Sequence, residues 1–258
     1  MNEGAVATEK SAVKKKFWGP VAIVVITIGL FLISQFVASF FFILLAQIMG
    51  WQEAQFNDWY NSSAFPQFIY VLIAYSIIVA GVTFLVKKKD KTLKYIGLAR
   101  PRFSDIGRAL IAYGVYMVLF VGMTIIAKMI APSLNLEQEQ ELGFQANKGI
   151  LSLVFAGISL VLLPPIVEEL LCRGFLYTGL RTKVKVIPAA IITSVIFASA
   201  HLQFGSGAPL LWVAAIDTFV LSLVLVYLRE STGRLTSSIF LHMIKNLVAF
   251  SILFIFVS

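Results

Sequence analysis

Seven long apolar stretches divide this chain of 258 residues, and they constrain its fold more than any other feature of the sequence. The stretches cover about 17–50, 64–86, 107–131, 149–180, 186–204, 209–228 and 235–257. Each is close to or above the ~20 residues that an α-helix needs to cross a bilayer. Because hydrocarbon offers the backbone no hydrogen-bond partners, we expect each stretch to be helical. The sequence predicts an all-α, polytopic membrane helix bundle of about seven spans.

Two adjacent prolines, Pro164 and Pro165, fall inside the fourth stretch and leave an alternative count open. Proline removes a backbone donor and can break or kink a helix, so a split fourth stretch would give eight spans. Composition supports the membrane class, because only 13% of the residues are charged. A soluble domain typically carries about a quarter charged residues.

The net charge of +8 is concentrated between the apolar stretches, which favours loops beside an anionic leaflet over a nucleic-acid surface. An N-terminus on the cytoplasmic side places every basic cluster on that side of a cell membrane. The clusters are Lys10 with Lys14–Lys16, Lys87–Arg108, Arg181–Lys185, and Arg229 with Arg234. The alternate loops carry acidic residues instead, namely Glu53, Asp58, Glu137, Glu139 and Glu141. We therefore predict a cytoplasmic tail at 1–16, N-terminal transmembrane helices at 17–131, and a C-terminal transmembrane domain at 147–257.

Ionisable side chains inside a membrane span are costly, so they indicate function by default. Three lie in the fourth stretch, and others lie in the last three stretches: Glu168, Glu169, Arg173, His201, Asp217, His242 and Lys245, with Asn246 beside them. Counted from the inner helix ends at ~1.5 Å per residue, the glutamates, histidines and asparagine lie about 12–22 Å deep. The hydrocarbon core is about 30 Å thick, so these groups share its middle layer.

The spacing within this layer indicates hydrolysis. Glu169 and Arg173 are four residues apart and can pair on one helix face, which leaves Glu168 free to act as a general base toward water. His242 and Asn246 have the same spacing and can donate hydrogen bonds to a developing oxyanion. Alternatively, Glu168, His201 and His242 are three ligands of a catalytic zinc, with water in the fourth position. The sequence leaves zinc and a metal-free mechanism equally open.

Three motifs in order resemble the type II CAAX prenyl endopeptidase family, also called the CPBP or Abi family. They are Glu168-Glu169-x-x-x-Arg173, Phe197-x-x-x-His201 and His242-x-x-x-Asn246, within a matching region of about 149–250. The stretch YLRESTGRL at 227–235 is similar to the loop that precedes the family's last motif, and IGLARPRF at 96–103 is similar to the family's N-terminal half.

The resemblance implies an intramembrane endopeptidase that acts on a peptide or a lipidated protein at the bilayer. Glu168 would activate water together with His201, while His242 and Asn246 would form the oxyanion hole. Glu169 and Arg173 would support the site. Eukaryotic members cut prenylated CAAX proteins, and many bacterial members are linked to bacteriocin immunity or processing. The family is described both as a metalloprotease and as a metal-free glutamate enzyme, so zinc stays a candidate cofactor.

Two other functions compete with proteolysis. A catalytically silent membrane protein that gives immunity by binding would keep the same scaffold, and a secondary transporter also uses intramembrane acids. Asp217 and Lys245 stand outside the family pattern, and their similar depth predicts a structural ion pair between the sixth and seventh spans. The alternative is that the pair tunes His242, which lies one turn from Lys245. The lone cysteine, Cys172, is read as a small hydrophobe rather than a nucleophile.

Overall fold

The structure, a computed structural model, describes residues 15–136, 138, 144, 149–203 and 209–256. Its helices are α1 (Pro20–Met49), α2 (Glu53–Ser62), α3 (Ala64–Lys87), α4 (Phe103–Ile130), α5 (Ile150–Leu180), α6 (Val186–Ser199), α7 (Trp212–Thr232) and α8 (Thr236–Phe256). Over the residues described, the regular structure is helical and contains no strand. The predicted all-α fold is therefore confirmed.

Six of these helices, α1, α3, α4, α5, α7 and α8, are long and apolar enough to cross a membrane. The helix of the predicted fifth span, α6, has 14 residues, which gives a rise of only ~21 Å. The polytopic bundle of about seven spans is thus six long helices and one short one. The fifth span ends earlier than its apolar stretch, because a tight turn after Ser199 and a left-handed Gln203 (φ 55°) reverse the chain.

The fourth span is a single helix, so the alternative of a split at Pro164-Pro165 is not realised. α5 passes the prolines by widening into π-helical turns at Ile158–Leu162 and again at Leu170–Leu176. In the first of these, the Leu163 amide donates to the carbonyl of Ile158, five residues earlier, rather than to that of Ser159, four residues earlier as in an α-helix. The Leu160 carbonyl gains no such partner, since both the fourth and the fifth residues after it are prolines.

The central element of the bundle is α5. Its second half supplies much of the largest buried apolar cluster, together with α1 and α3 on one side. Gly179 lets α1 approach closely, because an added Cβ would lie 2.4 Å from Ile23 Cγ1. On the other side α4, α7 and α8 share a second apolar cluster that includes Tyr116, Val224 and Leu241. α5 is therefore held between two helix groups, and it carries the first motif into the core.

The basic segments described lie at one end of the bundle, as shown by contacts between them. Lys15 pairs with Asp90 at 3.3 Å, the Leu235 amide donates to the Gly97 carbonyl at 2.9 Å, and Arg181 pairs with Glu230 at 3.1 Å. This common end is the one predicted to face the cytoplasm. The predicted tail residues 1–14, with Lys10 and Lys14, and the acidic residues Glu137, Glu139 and Glu141 lie outside the described residues.

Candidate active site

The first motif forms a buried ion pair and an adjacent free carboxylate. Arg173 Nη1 lies 2.9 Å from Glu169 Oε1, and both side chains are completely buried at 0% exposure. The flat face of the Arg173 guanidinium also packs on Phe197, with Cζ 4.3 Å from the ring centroid. The pairing follows from the spacing of four residues on α5. Glu169 is thus neutralised within its own helix, while Glu168 points in another direction.

His242 joins the two glutamates from α8. Its Nδ1 lies 3.2 Å from Glu169 Oε1, and its Nε2 lies 3.9 Å from Glu168 Oε2. A proton on Nδ1 therefore donates to Glu169, and Nε2 lies on the side of Glu168. His242 thus links the two glutamates through its two ring nitrogens.

Glu168 is the carboxylate that reaches an open space. Its side chain is 23% exposed, in contrast to the buried Glu169, and it lines a cavity of about 580 Å³ between α1, α3, α5 and α6. The Tyr75 hydroxyl of α3 donates to Glu168 Oε1 at 2.8 Å, which leaves Oε2 without this partner. Glu168 is therefore both anchored on one oxygen and accessible from the cavity.

His201 lines the same cavity from the turn that follows α6. Its Nδ1 lies 2.9 Å from the carbonyl of Phe197, so Nδ1 carries a proton and Nε2 presents a lone pair. The Phe197 ring fixes this arrangement, because its centroid lies 4.8 Å from that of His201 and 5.9 Å from that of His242. The second motif thus places one aromatic ring against Arg173 and both histidines.

Asn246 occupies a position different from the one expected of a free oxyanion donor. Its Nδ2 donates at 2.8 Å to the carbonyl of Leu160, the carbonyl that the paired prolines leave without a helical partner. A buried carbonyl without a partner would cost about 1–3 kcal/mol, so this bond stabilises the proline segment. One Nδ2 proton is thereby used, and the second is available to another acceptor.

The six predicted site residues divide into two groups around the cavity wall. Glu168 and His201 line the cavity, together with polar side chains of α1 and α3 such as Gln35, Tyr70 and Tyr75. The cavity lining does not include Glu169, Arg173, His242 or Asn246, which lie behind it. Chemistry at the cavity therefore begins at Glu168 and His201, and the other four residues support or complete the site.

The residues proposed as zinc ligands do not form a three-ligand site in this arrangement. Over the part of the chain that is described, no group of three His, Cys, Asp or Glu side chains is placed to hold a metal ion. No mechanistic step is therefore derived through zinc.

The predicted ion pair between Asp217 and Lys245 is present, with Lys245 Nζ 2.9 Å from Asp217 Oδ2. Tyr116 of α4 donates its hydroxyl to Asp217 Oδ1. This aspartate cluster (Tyr116, Asp217 and Lys245) joins α4, α7 and α8. Its two charges cancel, and neither of them lines the cavity that contains Glu168.

Tyr75 and Tyr116, which donate to Glu168 and Asp217, were not among the predicted site residues. The inner end of α3 is Lys87, and Tyr75 lies twelve residues before it. At ~1.5 Å per residue, Tyr75 is therefore ~18 Å deep. That depth lies within the range predicted for the glutamates, histidines and asparagine. A polar aromatic residue in mid-span is therefore the signal that would have identified it.

Comparison with known proteins gave one finding and two negative results. The family model described as Type II CAAX prenyl endopeptidase Rce1-like matches residues 150–248, which include all three motifs. No curated protein and no solved structure matched the chain. The match supports a protease in the membrane. It confirms the resemblance that the motifs predicted, because residues 150–248 are similar to the Rce1-like type II CAAX prenyl endopeptidases.

Proposed function

We propose that this protein is an intramembrane endopeptidase in which Glu168 activates water for attack on a peptide carbonyl. The observation that carries the proposal is the contrast between the paired glutamates. Glu169 is buried in an ion pair with Arg173, whereas Glu168 lines the cavity. Tyr75 donates to Oε1 of Glu168, and Oε2 lacks this partner. A general base needs this combination of fixed position and access to solvent.

In the proposed reaction, one water is held between Glu168 and the Nε2 lone pair of His201. Both groups accept hydrogen bonds from the water, so its oxygen is directed away from them and toward the substrate carbonyl. Glu168 takes the proton as the water oxygen bonds to the carbonyl carbon, and it returns a proton to the leaving amine as the C–N bond breaks. His201 keeps the required tautomer because its Nδ1–H is committed to Phe197.

The oxyanion is stabilised by His242 and Asn246. Protonated His242 offers Nε2–H while Glu169 holds its Nδ1, and Asn246 offers the Nδ2 proton that Leu160 does not use. The removal of one such donor typically lowers kcat by about 10²–10³. Glu169 and Arg173 act through His242. Glu169 orients the His242 ring, and Arg173 holds Glu169 in place.

The substrate proposed is a membrane-associated peptide or a CAAX-like lipidated protein, with bacteriocin-related peptides as the other candidate class. The cavity wall is largely apolar and its rim is exposed on α1 and α6 at Ile28, Leu32 and Val195, so a lipid chain has access from the bilayer. Gln35 and Tyr70, joined by a hydrogen bond of 3.0 Å, provide polar contacts for a peptide backbone on the same wall.

The proposed topology places the N-terminus and the basic end of the bundle on the cytoplasmic side of the cell membrane. The basic clusters that contact one another at that end support it, since cytoplasmic loops carry an excess of Lys and Arg. We propose the metal-free form of the reaction, because the side chains around Glu168 do not converge as zinc ligands among the residues described.

The direct test is cleavage of a peptide panel by the purified protein in nanodiscs. The panel contains a prenylated CAAX peptide, the same peptide without the lipid, and an unmodified apolar peptide. The comparison is between the wild type, Glu168→Ala and Val118→Ala, a lipid-facing control on α4, each with and without a zinc chelator.

We expect cleavage by the wild type and by Val118→Ala, with a loss of about 10²–10⁴ in Glu168→Ala and no effect of the chelator. Unchanged cleavage by Glu168→Ala would disprove the role of the glutamate. Chelator sensitivity that zinc reverses would overturn the metal-free form. Tight peptide binding without cleavage by the wild type would favour the immunity protein instead.

A further inference from the structure

A second cavity, of about 570 Å³, lies between α4 and α7 at the basic end of the bundle. It is separate from the proposed active site, because none of the three motifs contributes to its lining. We call it the arginine groove, and its charged end is formed by Arg102, Arg108 and Arg234. Its lining contains hydroxyl groups but no acidic side chain.

The charge at this end of the groove is only partly balanced. Asp105, completely buried beside the groove, lies 3.0 Å from Arg234 Nη2 and 3.6 Å from Arg108 Nη1. The hydroxyls of Thr236 and Ser237 also donate to Asp105. One carboxylate against three guanidinium groups leaves a net charge of about +2, and half of the Arg108 side chain is exposed. The open end of the groove therefore attracts an anion.

The other end of the groove is apolar. Its floor consists of Ala112, Val224 and Leu228, which are buried where α4 packs against α7. Its sides are formed by Ile111 and Val115, which are 74% and 50% exposed. A ligand that fills the whole groove must therefore carry negative charge at one end and an apolar chain at the other.

The groove has the orientation of a lipid in a bilayer, with its charged end at the headgroup level and its apolar end at the level of the acyl chains. α4 has 28 residues and is ~42 Å long, which exceeds the ~30 Å hydrocarbon core, so its first turns extend into the headgroup region. Arg108 belongs to those turns and Arg102 immediately precedes them as the N-cap, and Phe103 between the two is 94% exposed. Val115 lies ~18 Å farther along the helix, at the level of acyl chains.

From this geometry we infer that the arginine groove binds an anionic phospholipid. The phosphate pairs with Arg102 and Arg108, and one acyl chain lies over Ala112, Val224 and Leu228. Arg234 does not need to change partners, since it is already held by Asp105, Thr236 and the Arg100 carbonyl. The inference depends on neither the substrate nor the mechanism proposed for the glutamate site.

The test is native mass spectrometry of the protein released from detergent in the presence of equimolar phosphatidylglycerol and phosphatidylcholine with identical chains. The charge variant is Arg102→Gln/Arg108→Gln. Its matched control is Lys183→Gln/Lys185→Gln, which removes two exposed charges at the same end of the bundle but outside the groove.

The steric variant is Val115→Trp, and its control is Val118→Trp, one turn farther along α4 and outside the lining. Glycerol phosphate serves as the headgroup without chains.

We expect the wild type to retain phosphatidylglycerol over phosphatidylcholine. The arginine variant should lose roughly thirtyfold in that preference, since each of its two basic residues near a membrane surface contributes ~1 kcal/mol. Val115→Trp should lose both lipids, whereas both control variants and the wild type should behave alike. Glycerol phosphate should not compete at the lipid concentration. An equal loss in the lysine control, retention by the arginine variant, or full competition by glycerol phosphate would overturn the inference.

Discussion

Among the residues that the structure describes, two clusters of ionisable residues lie in the membrane interior, and they differ in how completely their charges are satisfied. The aspartate cluster pairs one acid with one base, and its Tyr116 donates to the remaining carboxylate oxygen. The glutamate cluster has two acids, Glu168 and Glu169, for one arginine, and Glu168 opens onto a cavity. A cluster that completes itself stabilises the helix packing, whereas a cluster left incomplete at a cavity is available for chemistry. The comparison predicts different consequences for substitutions in the two clusters.

The largest effect on stability is expected from Arg173→Met. This substitution leaves Glu169 as a buried carboxylate without its cation, and removal of one partner of a buried pair typically costs about 3–5 kcal/mol. The double variant Glu169→Gln/Arg173→Met should recover most of that loss without recovering activity. The measurement is the free energy of unfolding in detergent, together with cleavage.

The matched control is Arg181→Gln, which breaks the partly exposed pair with Glu230 near the end of the same helix. Exposed pairs contribute about 0–1 kcal/mol, so this variant should be close to the wild type. Equal destabilisation by the two arginine variants would show that the Glu169–Arg173 pair has no special role.

Asn246 separates a structural role from a chemical role within the glutamate site. Asn246→Ala should cost about 1–3 kcal/mol, because the Leu160 carbonyl then lacks a donor. Pro164→Ala restores a backbone N–H four residues after Leu160, so Asn246→Ala/Pro164→Ala should return to the stability of Pro164→Ala. Cleavage by the double variant should still be reduced about 10²-fold if Asn246 also binds the oxyanion. Full recovery of cleavage would leave Asn246 with the structural role alone.

In the aspartate cluster, Asp217→Asn should lower the free energy of unfolding by about 1–3 kcal/mol, less than a fully buried pair because both side chains are partly exposed. Cleavage per folded molecule should change less than about fivefold, since neither charge reaches the cavity. The control is Val118→Ala on the lipid-facing side of α4. Thermal unfolding indistinguishable between the two variants would refute a structural role for the pair.

Among the substitutions at the glutamate site, the smallest loss of activity is expected from Tyr75→Phe, which removes one hydrogen bond to Glu168. Hydrogen bonds to charged groups contribute about 1.5–3 kcal/mol. Only the part of this energy that orients the base in the transition state affects the rate. We therefore expect about a tenfold loss in kcat. Tyr70→Phe, in the same cavity but bonded to Gln35, should change KM rather than kcat. A kcat for Tyr75→Phe equal to that of the wild type would contradict the anchoring role.

The sequence predicts the membrane bundle because the length of an apolar run is a direct consequence of bilayer thickness. It predicts the glutamate site because ionisable residues in such runs are rare and their depth can be counted. Glu169 and Arg173 also lie on one helix, so their pairing follows from spacing alone.

The contacts between helices could not be predicted from the sequence in the same way. In a membrane protein the lipid-facing and buried sides of a helix are both apolar, so hydrophobic periodicity does not indicate which helices touch. The bond from Tyr75 to Glu168, the end of α6 at Ser199, and the use of Asn246 to satisfy Leu160 all depend on packing between distant segments. The passage of α5 through two prolines depends on π-helical turns that composition does not specify.

The most direct test of the contrast between the two clusters is a side-by-side measurement of kcat/KM for Glu168→Gln and Asp217→Asn at equal folded concentration. Both substitutions replace a carboxylate with an amide of nearly the same size inside the membrane. We predict a loss of about 10²–10⁴ for Glu168→Gln and less than about fivefold for Asp217→Asn. Similar losses in the two variants, or a larger loss for Asp217→Asn, would contradict the placement of the chemistry at the glutamate cluster.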